Sequence, residues 1–202
     1  MSHRYTTLSQ PGESLHKVKG SKHLGFAYPV ESEEEVEEKL NHLRATHHTA
    51  VHVCYAWRLG IDHFRHRAND DGEPSNSAGQ PILGQIEKYN LTQVLVAVVR
   101  YFGGTKLGVG GLIDAYSTAA QEAIEAAEIV ERTLMAHFRL HFSYDRMSDV
   151  MLALRTRQWE AFNHNFKHSC ALDLQLSPEK ESELFEIFAG FDDIRIETLG
   201  LY

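Results

Sequence analysis

The sequence predicts an α+β protein of two domains, and three observations predict it. A chain of 202 residues is long for one small domain and short for two large ones. Between Lys22 and Ala127, strand-like and helix-like runs surround a glycine-rich loop. From Met135 the pattern restarts in the order strand, helix, strand, strand, helix, strand. The boundary is expected near Arg132 to Met135, giving domains of residues 1–133 and 134–202, although no Pro/Gly/Ser linker marks it.

In the first domain, Lys22 to Val30 is short, apolar and aromatic, as a strand requires. Ser32 with Glu35 three residues later forms a capping box, and Glu33, Glu34 and Glu35 favour the positive end of the helix that runs to about Thr46. Ala50 to Leu59 alternates as a strand, with Phe64 to Ala68 as its hairpin partner across Gly60-Ile61-Asp62. Asn69 to Gly79 is loop, and Pro81 opens a helix to about Lys88. Val94 to Val99 is a β-branched run suited to a strand covered on both faces. After the glycine loop, Leu112, Ala115, Tyr116, Ala119, Ala120, Ala123, Ile124 and Ala127 mark a long Ala-rich helix. In the second domain, strands are expected to Tyr144 and at Ala161 to Phe166, Cys170 to Leu176 and Ile194 to Leu199, with helices at Asp145 to Arg157 and Pro178 to Phe188.

Composition narrows the function. The net charge is −8, with 13 Lys and Arg against 17 Asp and Glu in residues 1–135 and 7 against 11 in 136–202. Neither half is basic, so any nucleic-acid contact must rest on a local patch. Cys54 and Cys170 lack a C-x-x-C spacing and read as reduced core thiols. The polar stretch Met1 to Lys22 has no apolar signal region, and no run of about 18 apolar residues occurs. A cytoplasmic protein without a membrane span is therefore expected.

The strongest chemical signal is Gly103-Gly104-Thr105-Lys106-Leu107-Gly108-Val109-Gly110-Gly111, five glycines in nine residues ahead of a helix. Such a loop can aim backbone amides at an anion, aided by the helix dipole. It matches neither the Walker A nor the G-x-G-x-x-G spacing. A plain tight turn with close helix packing is the competing account. Asp70, Asp71 and Glu73 put three carboxylates within four residues, enough for a general base or an oxygen-ligated cation, though an exposed Asx-type turn is the commoner reason for such a cluster. Ser75 adds a hydroxyl but has no elbow or S-x-x-K partner. Arg100 and Lys106 supply cations beside the loop, and Arg100 reads as a salt-bridge partner for Asp70 or Asp71. Histidine offers no metal site, since His164 and His168 as strand residues stand about 13 Å apart. No cofactor is expected.

Lys19-Gly20-Ser21-Lys22, Asp70-Asp71-Gly72-Glu73-Pro74-Ser75, Ala78-Gly79-Gln80-Pro81-Ile82-Leu83 and the stretch from Val98 through Gly103-Gly104 to Gly110-Gly111-Leu112-Ile113-Asp114-Ala115-Tyr116-Ser117 together resemble the YigZ/IMPACT family signature, in its bacterial two-domain form. The resemblance implies a first domain like ribosomal-protein S5 domain 2. It implies a second domain with the ferredoxin-like βαββαβ order, similar to a domain of elongation factor G. Eukaryotic relatives regulate translation by binding the activator of a stress kinase, and no established catalytic residues come with the family. Asp114 stands where the family more often has Arg or Lys, and Asn76-Ser77 replace a usual Gly-Thr.

Two functions follow. One is a non-enzymatic regulatory protein of translation or its stress control, contacting RNA, ribosome or a protein partner through the 70–81 and 100–111 loops. The anion- or ligand-binding set is then Ser75, Arg100, Gly103, Gly104, Lys106, Gly108, Gly110 and Gly111. The other is a metal-assisted enzyme acting on a phosphorylated small molecule at the same loops, with Asp70, Asp71 or Glu73 as base or metal holder. Oligomeric state is not legible in the sequence.

Overall fold

A computed structural model of the chain describes residues 4–61, 63–166 and 170–201. It divides into two compact units, residues 5–132 and a second formed chiefly by 133–202.

The larger unit is built on a five-stranded antiparallel sheet. Its strands are β2 (Gly12–Val18), β3 (Ser21–Pro29), β4 (His52–Leu59), β5 (Arg65–Asn69) and β6 (Val94–Tyr101), in the order β2-β3-β6-β4-β5. The β-branched run falls at the centre, as a strand covered on both faces must. Val94, Val96 and Val98 join Cys54 and Ala56 beneath helices α2 (Gly79–Lys88) and α3 (Gly108–Ala126). Leu95, Ala97 and Val99 join Val53, Tyr55 and Trp57 beneath α1 (Glu33–Thr46). The period-two alternation of side chains produces both cores from one strand.

Local chemistry places the helices. Ser32 caps α1 by accepting from the Glu35 amide at 3.2 Å, while Glu35 reaches back to the Glu31 amide at 2.9 Å. Helix α3 lies close against β2 and β3 because its inner face is Ala115, Ala119 and Ala123. Opposite them, a β-carbon on Gly25 would meet the Ala119 carbonyl oxygen at 2.3 Å.

Two strands form between residues 4 and 18, where the sequence predicts no element, and a third follows α3. Strand β1 (Arg4–Gln10) pairs with β7 (Glu128–Thr133) as a separate two-stranded sheet, and β2 forms the edge of the large sheet. These strands carry few apolar residues, so the apolar alternation is faint. Helix α3 also begins at Gly108, inside the glycine loop, four residues before Leu112. The hairpin between β4 and β5 forms in the expected place, with Asp62 outside the described residues.

The second unit has the chain order β8 (Ala136–Phe142), α4 (Met147–Thr156), β9 (Ala161–Phe166), β10 (Cys170–Leu176), α5 (Glu181–Phe188), β11 (Arg195–Leu201). Its antiparallel sheet runs β11-β8-β10-β9. Phe138, Leu140, Leu172 and Leu174 pack with Val150 and Leu154 of α4 and Leu184 and Phe188 of α5. Asp173 is fully buried and receives Arg139 through two bonds of 2.7 and 2.9 Å, with Asn163 donating at 3.0 Å. These donors hold its carboxyl well below the usual carboxylate range. Both cysteines are free and buried. His168 lies outside the described residues, and among those described no cluster of His, Cys, Asp and Glu has metal-binding geometry. No helix among them is long and apolar enough to cross a membrane.

Candidate functional site

The 70–78 loop is organised by its own acids. Asp70 accepts from three backbone amides, Asn76 at 2.8 Å, Ala78 at 3.0 Å and Gly79 at 2.8 Å, and so closes the loop and caps the start of α2. Asp71 accepts from the Val53 amide at 2.7 Å, with Arg44 3.6 Å away. Ser77 donates to the Pro74 carbonyl at 2.6 Å, and Asn76 takes the left-handed conformation with φ 62°. That conformation suits Asn better than most residues.

Glu73 is carried inward by this turn. It ion-pairs with Arg100, both side chains being nearly buried at 4% and 7% exposure. Tyr116 of α3 donates its hydroxyl to the same carboxylate oxygen at 2.8 Å. The partner of Arg100 is therefore Glu73 and not Asp70 or Asp71, whose carboxylates are held by the loop and by β4.

The sheet register builds the floor beneath Glu73. Arg100 of β6 is paired with His23 of β3 on one side and His52 of β4 on the other. On the far side of His23, the register continues to His16 of β2. Because cross-strand partners share a face, these form one polar row across four neighbouring strands. His52 Nδ1 donates to the Asp71 carbonyl at 2.6 Å, leaving Nε2 3.9 Å from Glu73. His23 is fully buried, packs edge-on against Tyr116 at 5.2 Å and has no hydrogen-bond partner at either ring nitrogen. Burial, reinforced by Arg100 and His16, pushes its pKa down to about 4 against the pull of Glu73, so the ring is neutral near pH 7. Burial likewise raises the Cys54 thiol to about 12 and moves the Tyr116 hydroxyl further up. Neither is a nucleophile at neutral pH.

Above this floor the two loops meet. A pocket of about 370 Å³ has Pro74, Phe102, Leu107, Val109 and Leu112 as apolar walls, the Glu73–Arg100 pair at its base and Lys106 at its rim. The predicted residues divide accordingly. Glu73, Arg100, Lys106 and Gly108 line this pocket, whereas Asp70, Asp71, Ser75, Gly103, Gly104, Gly110 and Gly111 do not. The Gly103 amide donates to Ser21 Oγ at 3.1 Å, and its α-carbon faces the β2–β3 turn, where a β-carbon would lie 1.9 Å from the Gly20 carbonyl carbon. The expectation that the loop aims its backbone amides at an anion is corrected at this end: the Gly103 amide is held by Ser21, and Gly103 is a close-approach glycine. Gly104 and Gly108 have φ of 89° and 75°, which only glycine adopts readily. Gly110 and Gly111 are the first turn of α3.

Sequence reasoning missed His23, His52 and Tyr116. The signal was a polar residue at the end of each of three apolar strands, meaningful only once β3, β6 and β4 are known to be neighbours. Phe102 was missed as well. It is half exposed and walls both this pocket and a second hollow of about 430 Å³ that also meets Leu15, Lys22 and Tyr101.

Comparison with known proteins bears on residues of both units. The family model for the Impact N-terminal domain matches residues 19–124. A Bacillus subtilis (strain 168) protein, IMPACT family member YvyE, is 32% identical over 200 residues, covering 96% of this chain and 92% of that one. A Thermus thermophilus protein, IMPACT family member in pol 5'region, is 37% identical over 164 residues, covering 81% and 88%. A crystal structure described as that of a hypothetical protein superposes with a TM-score of 0.72 at 24% identity over 99% of both chains, which shows a shared fold.

Proposed function

The chain belongs to the IMPACT family, and on that footing we propose that it is a non-enzymatic binding protein of translation or its stress control. It docks RNA, ribosome or a protein partner through the surface where the 70–81 and 100–111 loops meet. One observation carries the choice of binding over catalysis. The groups that chemistry would need are already engaged in holding the loops: Asp70 by three amides, Asp71 by β4, and Glu73 by Arg100 and Tyr116. What remains open to a partner is an apolar hollow with a cationic rim. A metal-assisted reaction on a phosphorylated substrate would need a carboxylate released from one of these bonds.

The same reading takes the larger unit as S5 domain 2-like. It takes the smaller as ferredoxin-like and similar to a domain of elongation factor G, in support of which stand its βαββαβ order and its sheet order β11-β8-β10-β9. A cytoplasmic location belongs to this reading too. The test is co-sedimentation with ribosomes from lysate at low salt, comparing the wild type with a Lys106→Ala, Gly108→Val variant. Wild type is expected in the ribosomal pellet and the variant in the supernatant. Wild type remaining in the supernatant, or both proteins pelleting equally, overturns the reading.

A further inference from the structure

Around Phe102 the charge of this acidic chain reverses. Lys17 and Lys22 stand directly opposite each other in the β2–β3 ladder, Lys19 sits in the turn between them, and Lys106 flanks the neighbouring pocket. All four are exposed, and among the described residues none has a carboxylate partner within 4.0 Å. Like charges directly opposite one another destabilise a ladder. The turn is also tied to the glycine loop by the contact of Gly20 with Gly103. These lysines therefore share one end of the sheet with the apolar residues Phe102, Val109 and Leu15, which are 50%, 54% and 51% exposed.

Resting on the binding reading above, we infer that this surface takes an acidic peptide segment bearing one bulky apolar side chain. The apolar side chain enters the hollow walled by Pro74, Phe102, Leu107, Val109 and Leu112, whose volume of about 370 Å³ lies at the small end for ligand pockets. Acidic residues on either side of it meet Lys22 and Lys106 across Phe102. Charge complementarity sets the sign of the partner. The walls set its kind, for they are aliphatic apart from Phe102, whereas single-stranded RNA is held by successive aromatic platforms. The buried Glu73 at the base also disfavours a phosphate in the hollow itself.

The test is fluorescence anisotropy with the full chain and a fluorescein-labelled short peptide, Trp-Leu flanked by Asp and Glu. A second peptide carries Ala-Ala in place of Trp-Leu, and a labelled oligouridine is the third probe. The Trp-Leu peptide is expected to bind saturably, and about tenfold more weakly to Phe102→Ser and to Lys106→Glu, or when its centre is Ala-Ala. Lys39→Glu on α1 leaves binding unchanged. Circular dichroism confirms that each variant is folded, which half-exposed Phe102 and exposed Lys106 favour. No saturable binding, equal binding of the Ala-Ala peptide, or tighter binding of oligouridine overturns the inference. Ribosome co-sedimentation that persists while the peptide fails sinks this inference alone, and loss of both sinks the binding reading with it.

Discussion

At the scale of the residue, three neighbouring carboxylates have three different fates, and hydrogen bonding decides between them. Asp70 and Asp71 find backbone amides, while Glu73, with its longer side chain, reaches Arg100 and Tyr116 under the loop. Glu73→Gln leaves a buried guanidinium without its counter-ion, and the expected cost is about 3–5 kcal/mol in urea unfolding. Replacing both partners, Glu73→Gln with Arg100→Met, is expected to recover part of that loss. Asp70→Ala leaves three amides short of an acceptor and is expected to cost about 2 kcal/mol, with faster hydrogen exchange at Asn76, Ala78 and Gly79. His23 makes stability depend on pH. The unfolded chain takes up this proton below about pH 6.5, the native protein only near 4. Between those values the unfolded state holds more protons, so stability is full above pH 6.5 and falls as pH falls toward 4. The loss amounts to at most about 3 kcal/mol. His23→Phe, which removes two unpartnered nitrogens, is expected to flatten that slope in thermal unfolding between pH 7 and 4. An unchanged slope assigns the pH dependence to other groups.

At the scale of the element, the glycine loop divides by task, and a matched pair of substitutions exposes the division. Gly103→Ala drives a β-carbon into the Gly20 backbone, whereas Gly110→Ala adds one in open space within α3. The first is expected to lower the melting temperature by several degrees. The second is expected to be neutral or to stabilise by about 0.5–1 kcal/mol, since Ala is the better helix former. Much of this architecture was legible. The Ser32 and Glu35 box, the Val94 to Val99 run and the Ala stripe of α3 each declare themselves through local chemistry. Strands β1, β2 and β7 did not, because they carry few apolar residues and so show no period-two pattern in the sequence. For the site, the residue types were legible and their placement was not. Asp70, Glu73 and Arg100 stand out in the sequence, but which carboxylate turns inward depends on a left-handed turn at Asp71 and Gly72 and on the alignment of Arg100 between His23 and His52.

At the scale of the whole molecule, each unit has its own core, its own inward carboxylate paired with an arginine, Glu73 with Arg100 or Asp173 with Arg139, and one of the two tryptophans: Trp57 in the larger, Trp159 in the smaller. The two units respond to acid through different groups. The contribution of His23 fades between about pH 6.5 and 4. Asp173 has its carboxyl lowered by Arg139 and Asn163, so its contribution persists until pH drops below the ordinary aspartate value of about 3.8 and is lost only beneath it. On acid titration in moderate urea, the Trp57 signal, followed in a Trp159→Phe variant, is expected to change at higher pH than the Trp159 signal followed in Trp57→Phe. Coincident transitions would contradict independent acid responses of the two units.

On the binding reading proposed above, the two loops form one outward docking surface around Phe102. Placing the photo-crosslinking residue p-benzoylphenylalanine at Phe102 in living cells tests it most directly, with the exposed Tyr144 as the comparison site. A discrete adduct with a component of the translation apparatus is expected from position 102, suppressed by Lys106→Glu and absent from position 144. No adduct at 102, or the same adduct from both positions, would contradict it.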